Sequence, residues 1–403
     1  MLTFDYTARD TTSNKIIKST VQAESERAAA KLLMAQGIVP LELIEQTKKG
    51  NLIAKFTNRV GAKDRIIFTR QLATLINAGL PLAQSLRTLA DQTQNKKLVS
   101  ITNDIITSVE GGSSLSVAFS KHPEVFNDVY IALVAAGEAS GTLDEAMERI
   151  ANQQEKDAEL ISKVRGAMVY PAIVLVVIVG VIAFMLLTIV PQIELLYRDL
   201  KKELPFITAA MVGISDFIIN FWWLVILMLV AAVYFTKRYV DTDAGRKTFD
   251  TLKLNVPLFG KMFRKLYMAR FTRTGQTLMA SGVQMLEMLR IASRAVNNTV
   301  IAEAILRAAD KVKGGKALSQ SLRNEPYVLS LVPQMIGIGE QSGGIDKMMG
   351  KAATYYENEL DTTIRSISTA IEPILMVVLA GVAGIMVGAI LLPVYGLVGN
   401  TSL

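Results

Sequence analysis

The stretch FTRQLATLINAGLPL at residues 68–82 returns as FTRTGQTLMASGVQM at residues 271–285. The second stretch begins 203 positions after the first, and its Phe-Thr-Arg start, its Thr-Leu pair and its glycine stand in register. A repeat on this scale predicts an architecture made of two copies of one structural unit. The matched glycines, Gly79 and Gly282, predict the end of a helix in each copy, because glycine readily adopts the left-handed conformation that follows many helices.

The two copies stay in register over more than a hundred residues. Each contains a Gly-Gly pair, at residues 111–112 and 314–315, followed by a Gly-Glu-x-Ser-Gly motif. The matched motif residues are Gly137, Glu138 and Gly141 in the first copy and Gly339, Glu340 and Gly343 in the second. Each copy then enters an apolar segment bracketed by prolines, Pro171 and Pro191 in one and Pro373 and Pro393 in the other. The repeating unit is therefore a soluble domain followed by an apolar segment.

Three apolar runs predict membrane-spanning helices. They are Ala172–Val190, Phe217–Phe235, which is interrupted only by Asn220, and Ile374–Leu392, and none of them contains a charged residue. A helix needs roughly 20 apolar residues to cross the hydrocarbon core of a bilayer. Hydrophobic residues make up 51% of the 403-residue chain and charged residues 20%, which fits a protein that is part membrane-embedded and part soluble.

The distribution of charge predicts the orientation of the chain. Lysine and arginine are enriched on the cytoplasmic side of membrane spans. The loop 191–216 holds three of them, whereas residues 236–372 hold 20, with 13 acidic residues. We therefore expect the N-terminus and both large domains in the cytoplasm, and the loop and the C-terminus outside. The basic excess of residues 236–372 fits contact with anionic lipid or an acidic partner, or the orientation bias alone, which we favour.

The predicted fold class is mainly α, a polytopic membrane protein with two homologous cytoplasmic helical bundles, three transmembrane helices and a small N-terminal α/β module. The expected divisions are the module at 1–45, a basic linker at 46–62, the first bundle at 63–170, a span at 171–191, an external loop at 192–216, a span at 217–236, the second bundle at 237–372, a span at 373–393 and an external tail at 394–403. In the module, alternation at Phe4, Tyr6 and Ala8 predicts a strand, Ile16-Ile17 a second strand, Ala23–Ala35 a helix, and Ile38–Leu41 a third strand.

Several matched positions are candidates for structural or partner-binding roles. Glu138 and Glu340 either cap helices or bind a partner, and we favour the structural role. Tyr170-Pro171 and Glu372-Pro373 mark the membrane entry, where proline suits a first helical turn. The small residues Ala380, Gly384 and Gly388, spaced by four, predict close packing against another membrane helix.

No catalytic set emerges from the residues. The chain has no cysteine and one histidine, His122, which excludes thiolate chemistry and a His-Glu-x-x-His metal motif. The Gly-Gly pairs lack the lysine and hydroxyl residue of a phosphate-binding loop. The Gly-Glu-x-Ser-Gly motif lacks the spacing and the histidine base of a serine hydrolase. We expect no enzyme activity, cofactor or metal, and no nucleic-acid partner.

Taken together, these residues resemble the inner-membrane platform proteins of type IV pilus and type II secretion systems. The resemblance covers the whole chain: the N-terminal module ending in Gln36-Gly37-Ile38-Val39-Pro40, the Phe68–Leu75 motif with Arg70 and its copy with Arg273, the Gly137–Gly141 motif, and both proline-led spans. It implies a bacterial inner-membrane scaffold that connects a hexameric assembly ATPase to pilins or pseudopilins, alongside other inner-membrane assembly proteins, membrane lipid and further copies of itself.

Two departures and two alternatives accompany the resemblance. Asp10–Asn14 lacks the glycine that members often carry in this turn. Some secretion-type members bind calcium at three acidic positions, which match Gln94, Glu148 and Asn152. One carboxylate among these three residues predicts no calcium site.

Two alternative functions remain. A membrane transporter would also have internal repeats, but the three apolar runs contain no charged residue, which argues against a transport pathway through them. A membrane-embedded hydrolase would have to depend on the two matched glutamates.

Overall fold

The N-terminal module is a three-stranded antiparallel sheet. The computed structural model describes the backbone of residues 2–10, 16–23, 30, 32–34, 38–45, 59–199, 204 and 206–399. The strands are β1 (Leu2–Asp10), β2 (Ile16–Ala23) and β3 (Ile38–Glu45), in the order β2-β1-β3. Each of the three predicted strands is present, and the third runs to Glu45, four residues beyond the predicted end at Leu41. The turn between β1 and β2, most of the predicted helix at residues 23–35 and most of the basic linker lie outside the described residues. The sheet belongs to one compact unit, and the helices belong almost entirely to another.

The first bundle is all α, in agreement with the predicted fold class. Its helices are α1 (Ala62–Asn77), α2 (Leu82–Gln92), α3 (Lys96–Glu110), α4 (Leu115–Ser120), α5 (Asp128–Ser140) and α6 (Leu143–Phe184). Its core contains an aromatic cluster in which Phe119 and Phe126 have ring centroids 4.4 Å apart, and Phe68 and Tyr130 complete the cluster. Phe68 is the first residue of the repeated motif, so the motif supplies the centre of the core.

A region of shorter helices follows α6. A π-helical turn (Met185–Ile189) leads into α7 (Val190–Asp199), and α8 (Phe206–Asn220) and α9 (Trp222–Val240) complete the region. The segment 192–216, interpreted above as a loop, thus carries most of α7 and α8. Ser215 of α8 donates a hydrogen bond of 2.5 Å to the carbonyl of Leu186, so α8 packs against the π-helical turn.

The second bundle repeats the first. Its helices are α10 (Asp243–Asn255), α11 (Phe259–Ala280), α12 (Met285–Ala295), α13 (Thr299–Lys313), α14 (Leu318–Arg323), α15 (Leu331–Ser342) and α16 (Ile345–Gly399). Three pairs of matched glycines have positive φ: Gly79 and Gly282 at 80° and 81°, Gly112 and Gly315 at 86°, Gly141 and Gly343 at 73° and 71°. A side chain would be strained in this conformation, so the repeat preserves the turns as well as the helices.

The prolines at the membrane entry do not begin new helices. Pro171 lies inside α6 and Pro373 inside α16, so the prediction of a first helical turn at these positions is wrong. Proline removes one intrahelical hydrogen bond and crowds the carbonyl four residues earlier. Membrane helices tolerate this loss because neighbouring groups and local adjustments satisfy the freed carbonyl. Each soluble bundle is consequently continuous, through one helix, with an apolar segment.

Among the described residues, three helices are long and apolar enough to cross a membrane. They are the helical stretches Leu143–Asp199, Trp222–Val240 and Ile345–Gly388. The second begins five residues later than the apolar run at Phe217, because the helix breaks at Phe221, which has φ −119° and ψ 29°. Asn220, the one polar interruption of the run, is the last residue of α8.

Candidate functional site

Arg70 ties α1 to α6 through a two-pronged ion pair. Its Nε and Nη2 donate to the two carboxylate oxygens of Glu155 at 2.7 and 2.6 Å, and its Nη1 donates to Glu148 at 2.8 Å. The hydrogen bonds with Glu155 and Glu148 raise the pKa of Arg70, and the bond from Arg70 lowers the pKa of Glu155. Such forked pairs fix both distance and angle, so α1 is held in one position along α6.

Arg273 makes the same contact in the second bundle. Its Nε and Nη2 donate to Glu357 at 2.8 and 2.7 Å. Glu357 is the copy of Glu155, so both partners of the pair are repeated. The second pair is the more enclosed, with side-chain exposures of 22% for Arg273 and 14% for Glu357. The repeated arginine is therefore a brace between the helix that carries it, α1 or α11, and the long helix, α6 or α16, that continues into an apolar segment.

The repeated glutamates have the geometry of helix caps. Glu138 accepts hydrogen bonds from the backbone N–H groups of Leu115 and Ser116, the first residues of α4. Glu340 accepts from Leu318 at 2.6 Å and from the N–H of the next residue at 3.2 Å, at the start of α14. The first N–H groups of a helix have no intrahelical acceptor. Each carboxylate supplies one from a neighbouring helix.

The glycines of the repeated motif have two separate functions. Gly141 and Gly343 adopt the left-handed conformation that ends α5 and α15. Gly137 and Gly339 are needed for close packing: a Cβ on Gly137 would lie 2.5 Å from the Cβ of Ala146, and one on Gly339 would lie 2.6 Å from the Cα of Ile345. The motif thus turns the chain and lets the next helix return against the preceding one.

The membrane-entry residues lie in mid-helix and face outwards. Tyr170 is 55% exposed, and Glu372 is exposed and has no hydrogen-bond or ion-pair partner among the described residues. Along α16, a Cβ on Gly384 or Gly388 would meet open space, and Ala380 is exposed. The stripe of small residues therefore packs against nothing in the described part of this chain.

The positions matched to calcium ligands do not fit a cation. Arg70 Nη1 lies 2.8 Å from a Glu148 oxygen, and its Nη2 lies 2.6 Å from the Asn152 oxygen. A guanidinium therefore lies against two of the three candidate ligands, and Gln94 brings no charge to the third position. Among the described residues, no cluster of three or more histidine, aspartate or glutamate side chains could hold a metal ion.

Polar contacts that are not repeated join the two bundles. Arg270 of α11 donates to both oxygens of Asp157 of α6 at 2.6 and 2.9 Å, and Lys163 of α6 donates to Asp361 of α16 at 2.7 Å. Arg294 of α12 pairs with Asp128 of α5 at 2.6 Å. Comparison of the two copies does not reveal these pairs, because it matches positions within a copy and not across the junction.

A cavity of about 300 Å³ with a mixed polar and apolar lining lies at this junction, between α1, α5, α6, α11 and α12. Arg65, Gln154 and Asp157 line it from the first bundle and Arg270 and Thr274 from the second. Burial lowers the pKa of Arg65, and the negative charge of Asp157 only partly offsets this effect. Arg65 Nε and Gln154 Oε1 have no hydrogen-bond partner among the described residues. The junction thus holds buried polar groups beside apolar side chains such as Leu133 and Ile150.

Comparison with known proteins adds the identity of the repeat. The family described as type II secretion system protein F matches residues 68–191 and again 271–393, and the N-terminal domain of the same family matches residues 1–45. The type IV pilus assembly protein PilC of Thermus thermophilus is 39% identical over the full length of both chains. PilC of Myxococcus xanthus is 37% identical over 96% of this chain and 94% of its own length. The type II secretion system protein F of Pseudomonas aeruginosa is 31% identical over 98% of this chain and 99% of its own. The chain therefore belongs to the type II secretion system protein F family.

Proposed function

We propose that this protein is the inner-membrane platform of a type IV pilus or type II secretion machine. In this role it couples a cytoplasmic assembly ATPase to the polymerisation of pilins or pseudopilins. Relatives named for pilus assembly and for type II secretion, which align over nearly the whole chain, support the setting. The protein is a scaffold and force transmitter, and the chemistry is done by its partner.

The observation that carries the proposal is the continuity of α6 and α16. These helices have 42 and 55 residues and run from the soluble bundles into the apolar segments. At 1.5 Å per residue they are about 60 and 80 Å long. The Arg70–Glu155 and Arg273–Glu357 pairs brace each bundle against its long helix. A displacement of either bundle is therefore transmitted along a helix into the membrane.

The ion pairs at the junction support relative movement of the two bundles. Interfaces between domains that are polar and paired by ions rearrange more readily than apolar ones. The pairs Arg270–Asp157 and Lys163–Asp361 are of this kind. In the proposed orientation the N-terminus and both bundles lie in the cytoplasm, where the ATPase contacts them, and the C-terminus lies outside. The small residues of α16 then pack against a second copy or another assembly protein of the inner membrane.

Site-specific crosslinking tests this proposal, because the chain contains no cysteine. Val117 of α4 and Ile338 of α15 are both 51% exposed, and Leu229 of α9 is 63% exposed. Each is changed singly to cysteine and carries a photoreactive maleimide. We expect the bundle positions to crosslink to the assembly ATPase and Leu229→Cys to crosslink to pilins. Failure of both bundle positions to capture the ATPase, together with normal fibres in a deletion strain, would refute the proposed coupling.

A further inference from the structure

Helix α10 lies at the membrane-proximal end of the second bundle. Its first turn packs against the last turn of α9, where Gly245 leaves no room for a Cβ beside the Tyr239 carbonyl. Its other end, at Leu254, shares a groove with Ile367 and Ala370 of α16. Ala370 precedes Pro373 by three residues, about 4.5 Å along a helix. Both ends of α10 are therefore beside membrane-spanning helices.

The exposed side of α10 carries two large apolar side chains, Phe249 and Leu252, among polar residues. Asp250 and Leu254 are buried against the protein, whereas Phe249 and Leu252, which share the opposite face, are 41% and 57% exposed. Residues three apart are neighbours on a helix surface, so these two side chains form one patch. Leu258, in the turn after α10, is 44% exposed.

The turn that presents Leu258 is strained. Leu258 has φ 65° and ψ −52°, and the N–H of Phe259 donates to the Pro257 carbonyl at 2.8 Å. This is a γ-turn with a positive φ at its central residue, the rarer and more strained of the two γ-turn types. Strained residues persist where the surroundings or the function require them. The strained turn thus holds an exposed leucine at the end of α10.

Basic residues flank the apolar patch. Residues 243–265 contain six lysines and arginines and two aspartates. Lys247, Lys253 and Lys265 pair with carboxylates, and the other three basic residues have no acidic partner among the described residues. One aspartate, Asp250, is engaged by Lys253 and by the backbone N–H of Thr299. The groove of about 700 Å³ between this segment and α16 is lined by Lys261, Arg264 and hydroxyl side chains of α16. Lys261 has no hydrogen-bond or ion-pair partner among the described residues.

We propose that α10 and the Pro257–Leu258 turn lie in the membrane interface and that the groove binds the phosphate of an anionic phospholipid. Apolar side chains flanked by basic ones are the pattern of interfacial helices, and basic pockets beside spans bind lipid headgroups. The level of Ala370, one turn below the membrane entry, favours lipid over a soluble partner. The inference requires the three spans to cross a bilayer, and it is independent of the coupling to an ATPase.

An environment-sensitive fluorophore tests the proposal. Leu258→Cys is labelled and reconstituted into vesicles of phosphatidylcholine alone or mixed with phosphatidylglycerol. Ile338→Cys is the matched control: it is equally apolar and 51% exposed, and α15 joins α16 at its membrane-distal end, about 40 Å from Pro373 along the helix. We expect quenching by spin-labelled lipid at Leu258→Cys, stronger with phosphatidylglycerol, and none at Ile338→Cys.

A second variant tests the headgroup site itself. In the Leu258→Cys background, Lys261→Gln should raise the phosphatidylglycerol content needed for half-maximal quenching about fivefold, as expected for the loss of one basic residue at an anionic surface. Equal signals at Leu258→Cys and Ile338→Cys would overturn the interfacial position. Quenching at Leu258→Cys that changes neither with the phosphatidylglycerol content nor with Lys261→Gln would refute the proposed phosphate-binding site. Neither result depends on fibre assembly, so both are separable from failure of the proposed function.

Discussion

Asp157 and Glu359 stand at matched positions of the two copies, but they bind their cations in different ways. Asp157 accepts two hydrogen bonds from Arg270 of the other bundle. Glu359 accepts one of 2.5 Å from Lys265 of its own bundle. The same acidic position thus joins the bundles in one copy and braces a single bundle in the other. Duplication supplied the carboxylate twice, and the position of the basic partner determines its role.

The junction between the bundles should be sensitive to Asp157→Asn. The Arg270 side chain is 10% exposed, and a largely buried guanidinium that loses its charged partner keeps its desolvation cost. We expect the free energy of unfolding, measured in detergent, to fall by about 1–3 kcal/mol.

Glu110→Gln provides the control for this variant. Glu110 pairs with Arg87 at a site where the side chains are 42% and 65% exposed. Exposed pairs contribute roughly 0–1 kcal/mol. Equal losses for Asp157→Asn and Glu110→Gln would contradict the importance of the Arg270 pair.

The two repeated arginines should differ in their contribution to stability. Arg273→Gln leaves Glu357, which is 14% exposed, without a cation, whereas Arg70→Gln leaves Glu155, which is 43% exposed. The enclosed carboxylate is the harder to hydrate, so we expect a loss of about 2 kcal/mol for Arg273→Gln and about 1 kcal/mol or less for Arg70→Gln. Chemical unfolding monitored by far-UV circular dichroism measures the loss of unfolding free energy in both variants. A larger loss for Arg70→Gln than for Arg273→Gln would contradict the argument from burial.

The sequence predicted the features that depend on local chemistry. Repeated glycines marked the turns, and their positive φ values at Gly79 and Gly282 agree with that expectation. The predicted fold class included both helical bundles, and uncharged runs predicted the three long apolar helices. Each of these signals arises within a few turns of chain, where spacing and conformational preference are sufficient.

Features that depend on distant neighbours were not predictable in this way. The sequence marked Gly137 only as a matched motif residue, whereas the structure shows that glycine is needed there because Ala146 of the next helix packs against it. Pro171 looked like a helix start, but the surrounding apolar segment continues the helix through it. The pairing of Asp157 with Arg270 joins residues 113 positions apart in different copies. Only the folded arrangement of the two copies determines these contacts.

Close packing at Gly137 should make Gly137→Ala destabilising. The added Cβ would lie 2.5 Å from the Ala146 side chain, so α5 and α6 must separate. Overpacking of this kind costs about 1–3 kcal/mol. The free energy of unfolding measures the effect.

Gly166→Ala is the matched control on α6. A Cβ on Gly166 meets nothing within 4 Å, and alanine favours a helix over glycine by about 1 kcal/mol. We therefore expect Gly166→Ala to be neutral or stabilising. A similar loss of unfolding free energy in Gly137→Ala and Gly166→Ala would show that the contact with Ala146 is not the cause of the destabilisation.

The effect of Arg70→Gln should depend on pH in a defined direction. The hydrogen bond from Arg70 lowers the pKa of Glu155 from its ordinary 4.5. A carboxylate with a lowered folded-state pKa contributes stability that is present above its unfolded pKa and is lost as the pH falls through the folded value. The difference in unfolding free energy between the parent and Arg70→Gln should therefore be constant near neutral pH and shrink below about pH 4.5. Denaturant titrations at a series of pH values measure this difference. A gap that widens on acidification would mean that Arg70 stabilises the bundle by packing against α6 and not through the Glu155 carboxylate.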